Sequence, residues 1–421
     1  MLVQIRESTD IFGAKRFSDN LFYMSVSYYL LVGAAVVLFY SYLGYPVVLY
    51  GLVCLKRRTN HWAKLPNEEK QFPECDLPEV TLVVAAYNEE DWVEEKIKNS
   101  LQLDYPVDKL RLLFVTDGST DRTAAIVQQC PQLQWEHQPE RRGKIAAVER
   151  IMPLVTTPIT VFTDANTSLN PEAIRRMVRH FADISVGAVA GEKRIQQSAR
   201  EDASAAGEGI YWRYESQLKQ WDAELHSVVG AAGELFAVRT DLYEPVPPDT
   251  LIEDFYTTLR IAQRGYRVAY EREAYAVETS SASLREEMKR KIRIAAGGLQ
   301  AIIRLASLLL PFRHPCLTFQ YISHRVLRWT LAPLSLVILL AMSTGLALQG
   351  DYWGQGLLLL QVLFYTGAGL GYGLQTRAVS IKALYIPLYF TMMNLAVYRG
   401  AWRLLQGRQS VVWNKAKRRQ S

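Results

Sequence analysis

Apolar and polar positions change period along the chain. Residues 80–85 and 110–115 are continuous apolar runs of the kind a doubly covered strand needs, and 91–103 carries apolar positions at helical spacing between them. A second helix is expected from Asp121, with Ser119, Thr120 or Asp121 as its cap. Further strands are expected at 133–136 and 159–162, and helices from Gly143 and Pro171. Strand and helix alternate throughout, which predicts an α/β fold with a doubly wound, mostly parallel sheet. Outside this middle region the pattern is uniformly apolar. No Asp, Glu, Lys or Arg occurs in residues 20–55, a run of 36, and further charge-free runs span 329–350 (22 residues), 352–376 (25) and 383–398 (16). A membrane crossing takes roughly 20 apolar residues, so the first three runs qualify and the last is short.

This division predicts an N-terminal transmembrane anchor over residues 1–58, a globular domain over 59–300 opened by a polar linker at 61–79, and an interfacial segment at 301–328. A C-terminal transmembrane region with a basic tail completes the chain over 329–421. The apolar stretch at the N-terminus is too long for a cleavable leader and is expected to stay as an anchor. The overall composition, 49% apolar and 21% charged, averages these two materials and excludes a disordered chain.

Charge supplies orientation. Lys56, Arg57 and Arg58 directly follow the first apolar run, which places the domain on the cytoplasmic side by the positive-inside rule. From Arg399 onward the chain carries seven basic residues and no acid, against a net charge of +6 for the whole sequence. This basic excess sits in a tail, where it suits anionic membrane lipids, rather than in the folded domain, where a nucleic-acid binder would be expected to carry it. A cytoplasmic tail requires an even number of crossings after residue 328, so 383–398 is expected to be interfacial or re-entrant. The run 305–310 is expected to lie along the membrane surface.

The four cysteines are scattered, none in a C-x-x-C pair, and the six histidines show no i, i+4 pairing, so neither a zinc site nor a disulfide framework is indicated. In a doubly wound sheet, ligands bind beyond the carboxyl ends of the strands. Those ends read AAYNEE (85–90), TDGSTDRT (116–123) and FTDAN (162–166), each with an acid. Single acids there are ordinary turn formers. Three in succession repel unless a cation or a hydrogen-bond donor compensates, and a nucleotide with a divalent ion would do so. A basic loop, Arg141–Arg142–Gly143–Lys144, precedes an apolar helix and suits phosphate, without the spacing of a P-loop. Downstream, the glycine runs at 228–239 and 289–298 predict close backbone approach. Glu253 and Asp254 open a helix, where one acid serves the helix dipole and the other is free to act as a base.

Together these motifs resemble a membrane-bound family 2 glycosyltransferase, the group of the cellulose, hyaluronan, chitin and poly-N-acetylglucosamine synthases. The likeness runs from about residue 80 to residue 298 and extends to the flanking helices. It implies a GT-A-like fold and an inverting transfer from a UDP-sugar to a growing extracellular polysaccharide. Tyr87, Glu89 and Asp117 would hold the uridine end, Lys144 would lie near the diphosphate, and Asp164 with Asn166 would hold Mg²⁺ or Mn²⁺ in the D-x-D position. Asp254 would be the general base, Arg293 would neutralise the departing diphosphate, and residues 230–234 would line the acceptor side. Three motifs depart from the family pattern: Asn166 stands for the second Asp, Ile252 for the Thr of T-E-D, and Arg290 and Ile294 for the Gln and Trp of Q-x-x-R-W. Without that Trp an aromatic platform is lost, which favours the alternative of a single sugar passed to a membrane lipid. An inactive nucleotide-sugar-sensing scaffold is a reading of a different class. The resemblance implies an integral protein of the plasma (inner) membrane, with a carbohydrate or lipid-linked acceptor and polysaccharide-export partners. Tyr321, Trp329, Tyr352, Trp353 and Tyr365 are expected to line a sugar path or to anchor the membrane interface.

Overall fold

The computed structural model describes residues 24–59, 76–196, 203–279, 283–375 and 381–407. Most of the linker, Cys75 and the end of the basic tail lie outside the described residues.

Eight strands form one sheet: β1 (Val80–Ala86), β2 (Leu110–Asp117), β3 (Gln134–Gln138), β4 (Ile159–Asp164), β5 (Thr167–Leu169), β6 (Val186–Ile195), β7 (Leu235–Arg239) and β8 (Arg267–Glu278). Their order is β3-β2-β1-β4-β7-β6-β8-β5. The run β3-β2-β1-β4 is parallel, as is the β6–β8 pair, whereas β7 and β5 pair antiparallel. The sheet is therefore mixed, with its parallel half where the alternation of strand and helix is most regular. β1 is central because nearly all of its residues, on both faces, are buried. Its register sets Ala85 level with Val115 and with Asp164, so the carboxyl ends of β1, β2 and β4 finish together. Between β1 and β4 the strand order reverses, which opens the crevice that such sheets use for ligands.

Helices cover both faces. α1 is the N-terminal Met24–Arg58. In the globular part, α2 (Val93–Leu101), α3 (Thr123–Gln128) and α5 (Ala173–Val178) seal one face, and α4 (Lys144–Ile151) and α7 (Glu253–Gln263) the other. Each fully buried side chain in these cores, such as Leu82 and Phe114, contributes about 1.5–3 kcal/mol of transfer free energy. The expected strands and helices over residues 80–178 all form, with ends shifted by a few residues; the N-cap of α3 is Arg122, without a side-chain cap, rather than Ser119, Thr120 or Asp121, although Asp121 ahead of it accepts from the Thr123 N–H at 2.9 Å.

α6 (Ala203–Leu225) and α8 (Leu284–Arg304) connect this core to the apolar helices. α8 starts at Ser283, whose hydroxyl accepts from the Glu286 N–H. Beyond it, α9 (Pro315–Tyr321) leads into a π turn over Ile322–Val326 and then to α10 (Leu331–Leu348), α11 (Tyr352–Gln375) and α12 (Lys382–Leu405). Among the described residues three helices are long and apolar enough to cross a membrane: α1, α10 and α11. Tyr28 near the start of α1 donates to Asp351 just after α10, so these two helices run antiparallel with matched outer ends. At the other end of α1, Lys56 donates to the carbonyls of Glu224 and Leu225, the terminal carbonyls of α6, which fixes the basic cluster to the globular domain.

The short charge-free run at 383–398 belongs to one uninterrupted helix of 24 residues, α12, and is not a re-entrant loop. It lies along α8: Tyr385 and Tyr389 pack with Leu284 and Met288, and Gly400 abuts the Ile292 carbonyl and Ala296. The run 305–310 is divided. Leu305 and Leu308 are buried in the globular core, whereas Leu310 and Phe312 are exposed.

Candidate active site

The loops after β1 and β2 are stitched together. Asn88, in the left-handed region at φ 53°, accepts from the Thr120 N–H at 2.8 Å, and the Glu89 N–H donates to the Thr123 hydroxyl at 2.7 Å. Asp117 at the end of β2 is 3% exposed, and its Oδ2 accepts from the backbone N–H groups of Arg142 and Gly143 at 2.9 and 2.6 Å. The basic loop thus spends these two donors on Asp117. Gly118 is required beside it: at φ 64° it is left-handed, and a Cβ would sit 2.6 Å from the Arg141 backbone. Arg141 in turn covers the Tyr87 ring, with its guanidinium carbon 3.8 Å from the centroid. Tyr87, Glu89, Asp117, Lys144, Asp164 and Asn166 line one cleft.

Lys144, the first residue of α4, joins this cleft to the next. Its ammonium lies 2.8 Å from Asp164 Oδ1 at the end of β4 and 2.9 Å from Glu253 Oε1 at the start of α7. Burial opposes the charge, but the two carboxylates outweigh it and hold the Lys144 pKa well above its ordinary value. Glu253, although buried, is held below the usual carboxylate range by Lys144. Its neighbour Asp254 is pushed up to about 7, by burial first and then by the negative charge of Glu253. Two adjacent acids are thereby driven apart, one kept ionised and one titrating near neutrality.

Asp254 faces a second cavity of about 490 Å³, bordered by Lys144 and Asp164 at one end. Residues 230–234 form one wall. Gly233 leaves room over the carboxylate, since a Cβ there would lie 3.4 Å from Asp254 Oδ2. Gly230, at φ 82°, lets the chain pass the Phe255 ring, which a Cβ would meet at 2.0 Å. Arg293, also in the cavity wall, donates to the Leu251 carbonyl at 2.9 Å. The cavity continues to Tyr385, Tyr389 and Phe390 on α12 and to Tyr42 on α1, so it reaches the apolar helices.

The structure brings the three strand-end acids and Asp254 to two adjoining spaces that share Lys144 and Asp164. Of the aromatic residues singled out in the sequence, Trp329 lines the cavity, Tyr321 is fully buried in the globular core, and Tyr352 and Trp353 are exposed at the start of α11. Sequence reasoning missed a buried charged layer beneath the cavity. Lys193 pairs with Glu234 and Glu278, and Arg290 pairs with Glu287 at 3.0 Å. Lys193 and Arg290 hold Glu234 well below the usual carboxylate range against its burial. Glu215 pairs with His324 at 3.1 Å, with Arg325 at 2.6 Å and with Arg328 at 3.3 Å. The spacings Glu215/Lys219 and Arg325/Arg328 were the available signal, being charges on one helical face next to apolar spans.

A family profile described as "Glycosyltransferase like family 2" matches residues 78–297. Among curated proteins, the poly-beta-1,6-N-acetyl-D-glucosamine synthase of Staphylococcus aureus is 26% identical over 249 residues, covering 56% of this chain and 59% of the synthase. The beta-monoglucosyldiacylglycerol synthase of a Synechocystis strain is 29% identical over 204 residues, 45% of this chain and 42% of that protein. The matched region therefore spans under two thirds of the length of either relative. Among solved structures, a mannosyltransferase from Pyrobaculum calidifontis in complex with GDP-Man and Mn²⁺ superposes with a TM-score of 0.65, covering 90% of this chain and all of that one at 24% identity. The fold is GT-A-like, and the chain is a glycosyltransferase that belongs to family 2.

Proposed function

We propose that the protein transfers a sugar from a UDP-sugar, held in the cleft at the ends of β1, β2 and β4, to an acceptor in the cavity beside Asp254. One observation carries this reading: Lys144 and Asp164 border both spaces, so a donor in the first and an acceptor in the second meet at the carboxylates of α7. On the donor side, Tyr87 and Glu89 border the base end and Asp117 fixes the loop that carries Lys144. The Lys144 ammonium pairs with Asp164 and Glu253 and faces the diphosphate.

Asp254 is the base. An acceptor hydroxyl is a poor nucleophile until its proton is taken, and a carboxyl with a pKa of about 7 is matched to that task at neutral pH. The proton passes to Asp254 as the acceptor oxygen bonds to the anomeric carbon. The bond from that carbon to the diphosphate breaks, and its electron pair leaves with the nucleotide. A single displacement inverts the centre, so an α-linked donor gives a β-linked product. Arg293, in the cavity wall, and Lys144 oppose the charge that builds on the diphosphate.

Among the described residues no group of three or more His, Cys, Asp or Glu side chains could enclose a metal ion. The donor set instead fits a divalent ion shared with substrate: Asp164 and Asn166 line the same cleft, and Mg²⁺ is commonly held by one or two carboxylates plus substrate phosphates. Asp164 and the amide oxygen of Asn166 would hold Mg²⁺ or Mn²⁺, which would supply positive charge to the leaving diphosphate.

The domain is proposed to face the cytoplasm, with α10 and α11 as the two crossings after it and α12 in the interface along α8. The product is proposed to be a polysaccharide. Transfer of one sugar to a membrane lipid is the second reading, favoured by Ile294, an aliphatic side chain in the cavity wall at the position of the family's Trp. Incubation of the purified protein with labelled UDP-sugars and Mn²⁺ tests both readings. A ladder of products supports the polymerase, one lipid-extractable species supports the second reading, and no release of nucleotide from any donor removes both.

A further inference from the structure

Lys219 on α6 is 3% exposed and lines the cavity, yet it has no hydrogen bond and no ion pair among the described residues. The acids that influence it are committed elsewhere. Glu192 accepts from Ser216 and Tyr270, Glu215 serves His324, Arg325 and Arg328, and Glu234 serves Lys193. Lys219 is one of three ammonium groups around a single indole: Lys193, Lys219 and Lys291 lie 5.2, 5.8 and 5.6 Å from the Trp212 ring centroid. Lys291 also faces Tyr211 and Tyr389, and its ion pair with Glu287 is a loose 3.5 Å.

A buried ammonium without a counter-charge is unfavourable unless a ligand supplies one. Burial lowers the Lys219 pKa, and an arriving anion would oppose that shift. The wall on the α12 side is of the opposite character. α12 contributes Tyr385, Ile386, Tyr389, Phe390 and Val397, beside the membrane helix α1. A cationic end and an aromatic and aliphatic end within one space match an amphiphile.

We propose that the acceptor side of the cavity binds a phosphate-class anion, with Lys219 as its principal counter-charge and Lys291 as the second, on a molecule whose apolar part lies along α12. The inference rests on the glycosyltransferase reading above and specifies the chemistry of the acceptor.

Calorimetric titration of the full-length protein in neutral detergent tests it, with dihexanoyl phosphatidic acid, inorganic phosphate and dihexanoylglycerol as probes and UDP as the control ligand. Phosphatidic acid is expected to bind at least about tenfold more tightly than dihexanoylglycerol, and Lys219→Met to remove that preference. Lys219→Arg keeps the charge and is expected to retain it. Methionine of similar volume replaces an unpaired buried charge here, so the fold is expected to persist, and unaltered UDP affinity verifies it. Phosphatidic acid binding more tightly than inorganic phosphate assigns the site to a lipid headgroup, and equal affinities assign it to a free anion and overturn the placement of an apolar part along α12. Equal binding of phosphatidic acid and dihexanoylglycerol, or a Lys219→Met variant that keeps the preference, overturns the inference. Absence of UDP binding in the wild type would instead overturn the donor-site reading on which it rests.

Discussion

The Lys144 ammonium stands 2.8 Å from Asp164, joining the end of β4 to the start of α4 across the crevice where the sheet order reverses. The same ammonium contacts Glu253, so one cation connects the donor cleft to the helix that carries Asp254. Lys144→Met would leave two half-buried carboxylates uncompensated. UDP affinity is expected to fall by about tenfold or more, read by calorimetry. Lys144 also lowers the Asp254 pKa, so its loss should move the acidic limb of the activity profile to higher pH.

The pH dependence has a definite sign. A base works only when ionised, and Asp254 titrates at about 7. Nucleotide release should therefore rise about tenfold per pH unit below 7 and level off above it. Asp254→Asn should abolish that limb together with turnover while UDP binding persists.

Stability should move the other way. An acid whose folded pKa is raised stabilises the fold while protonated, and that contribution is lost as pH rises from its ordinary 3.8 through about 7. Asp254→Asn should thus unfold at a higher temperature than wild type at pH 8, with the difference shrinking as pH falls and vanishing only below about pH 4. A thermal melt at the two pH values measures this directly.

Much of the parallel half of the sheet was legible because its signals are local. Continuous apolar runs marked β1 and β4, and acids marked their ends. The antiparallel β7 and β5 were not legible, since their partners β4, β6 and β8 lie far away in sequence and pairing across such distances leaves no periodic trace. The site divides in the same way. Asp117, Asp164 and Asp254 each stand at a strand or helix end and could be picked out, whereas Lys219 lies within the long helix α6, where a charge ordinarily means a solvated face. Helix α12 was underestimated because its apolar positions are interrupted by Lys382, Arg399 and Arg403, although α8 covers it.

Close packing gives a prediction independent of the chemistry. A Cβ at Gly298 of α8 would meet the Trp329 ring at 2.4 Å. Gly298→Ala should cost about 1–3 kcal/mol and displace Trp329, which also lines the cavity. Denaturation and nucleotide release on the same preparation would report both effects.

Asn166 offers a gain rather than a loss. A carboxylate beside Asp164 adds negative charge for a divalent ion, so Asn166→Asp should lower the Mn²⁺ concentration for half-maximal nucleotide release, and Asp164→Asn should raise it.

The central claim is that these carboxylates act on a nucleotide sugar. Its most direct measurement is nucleotide release by the purified full-length protein across a panel of UDP- and GDP-sugars with Mn²⁺, wild type beside Asp254→Asn. Release of UDP from at least one donor by the wild type, and none from Asp254→Asn despite undiminished UDP binding, is the predicted result. Equal release by the two proteins, or release from no donor, would contradict it.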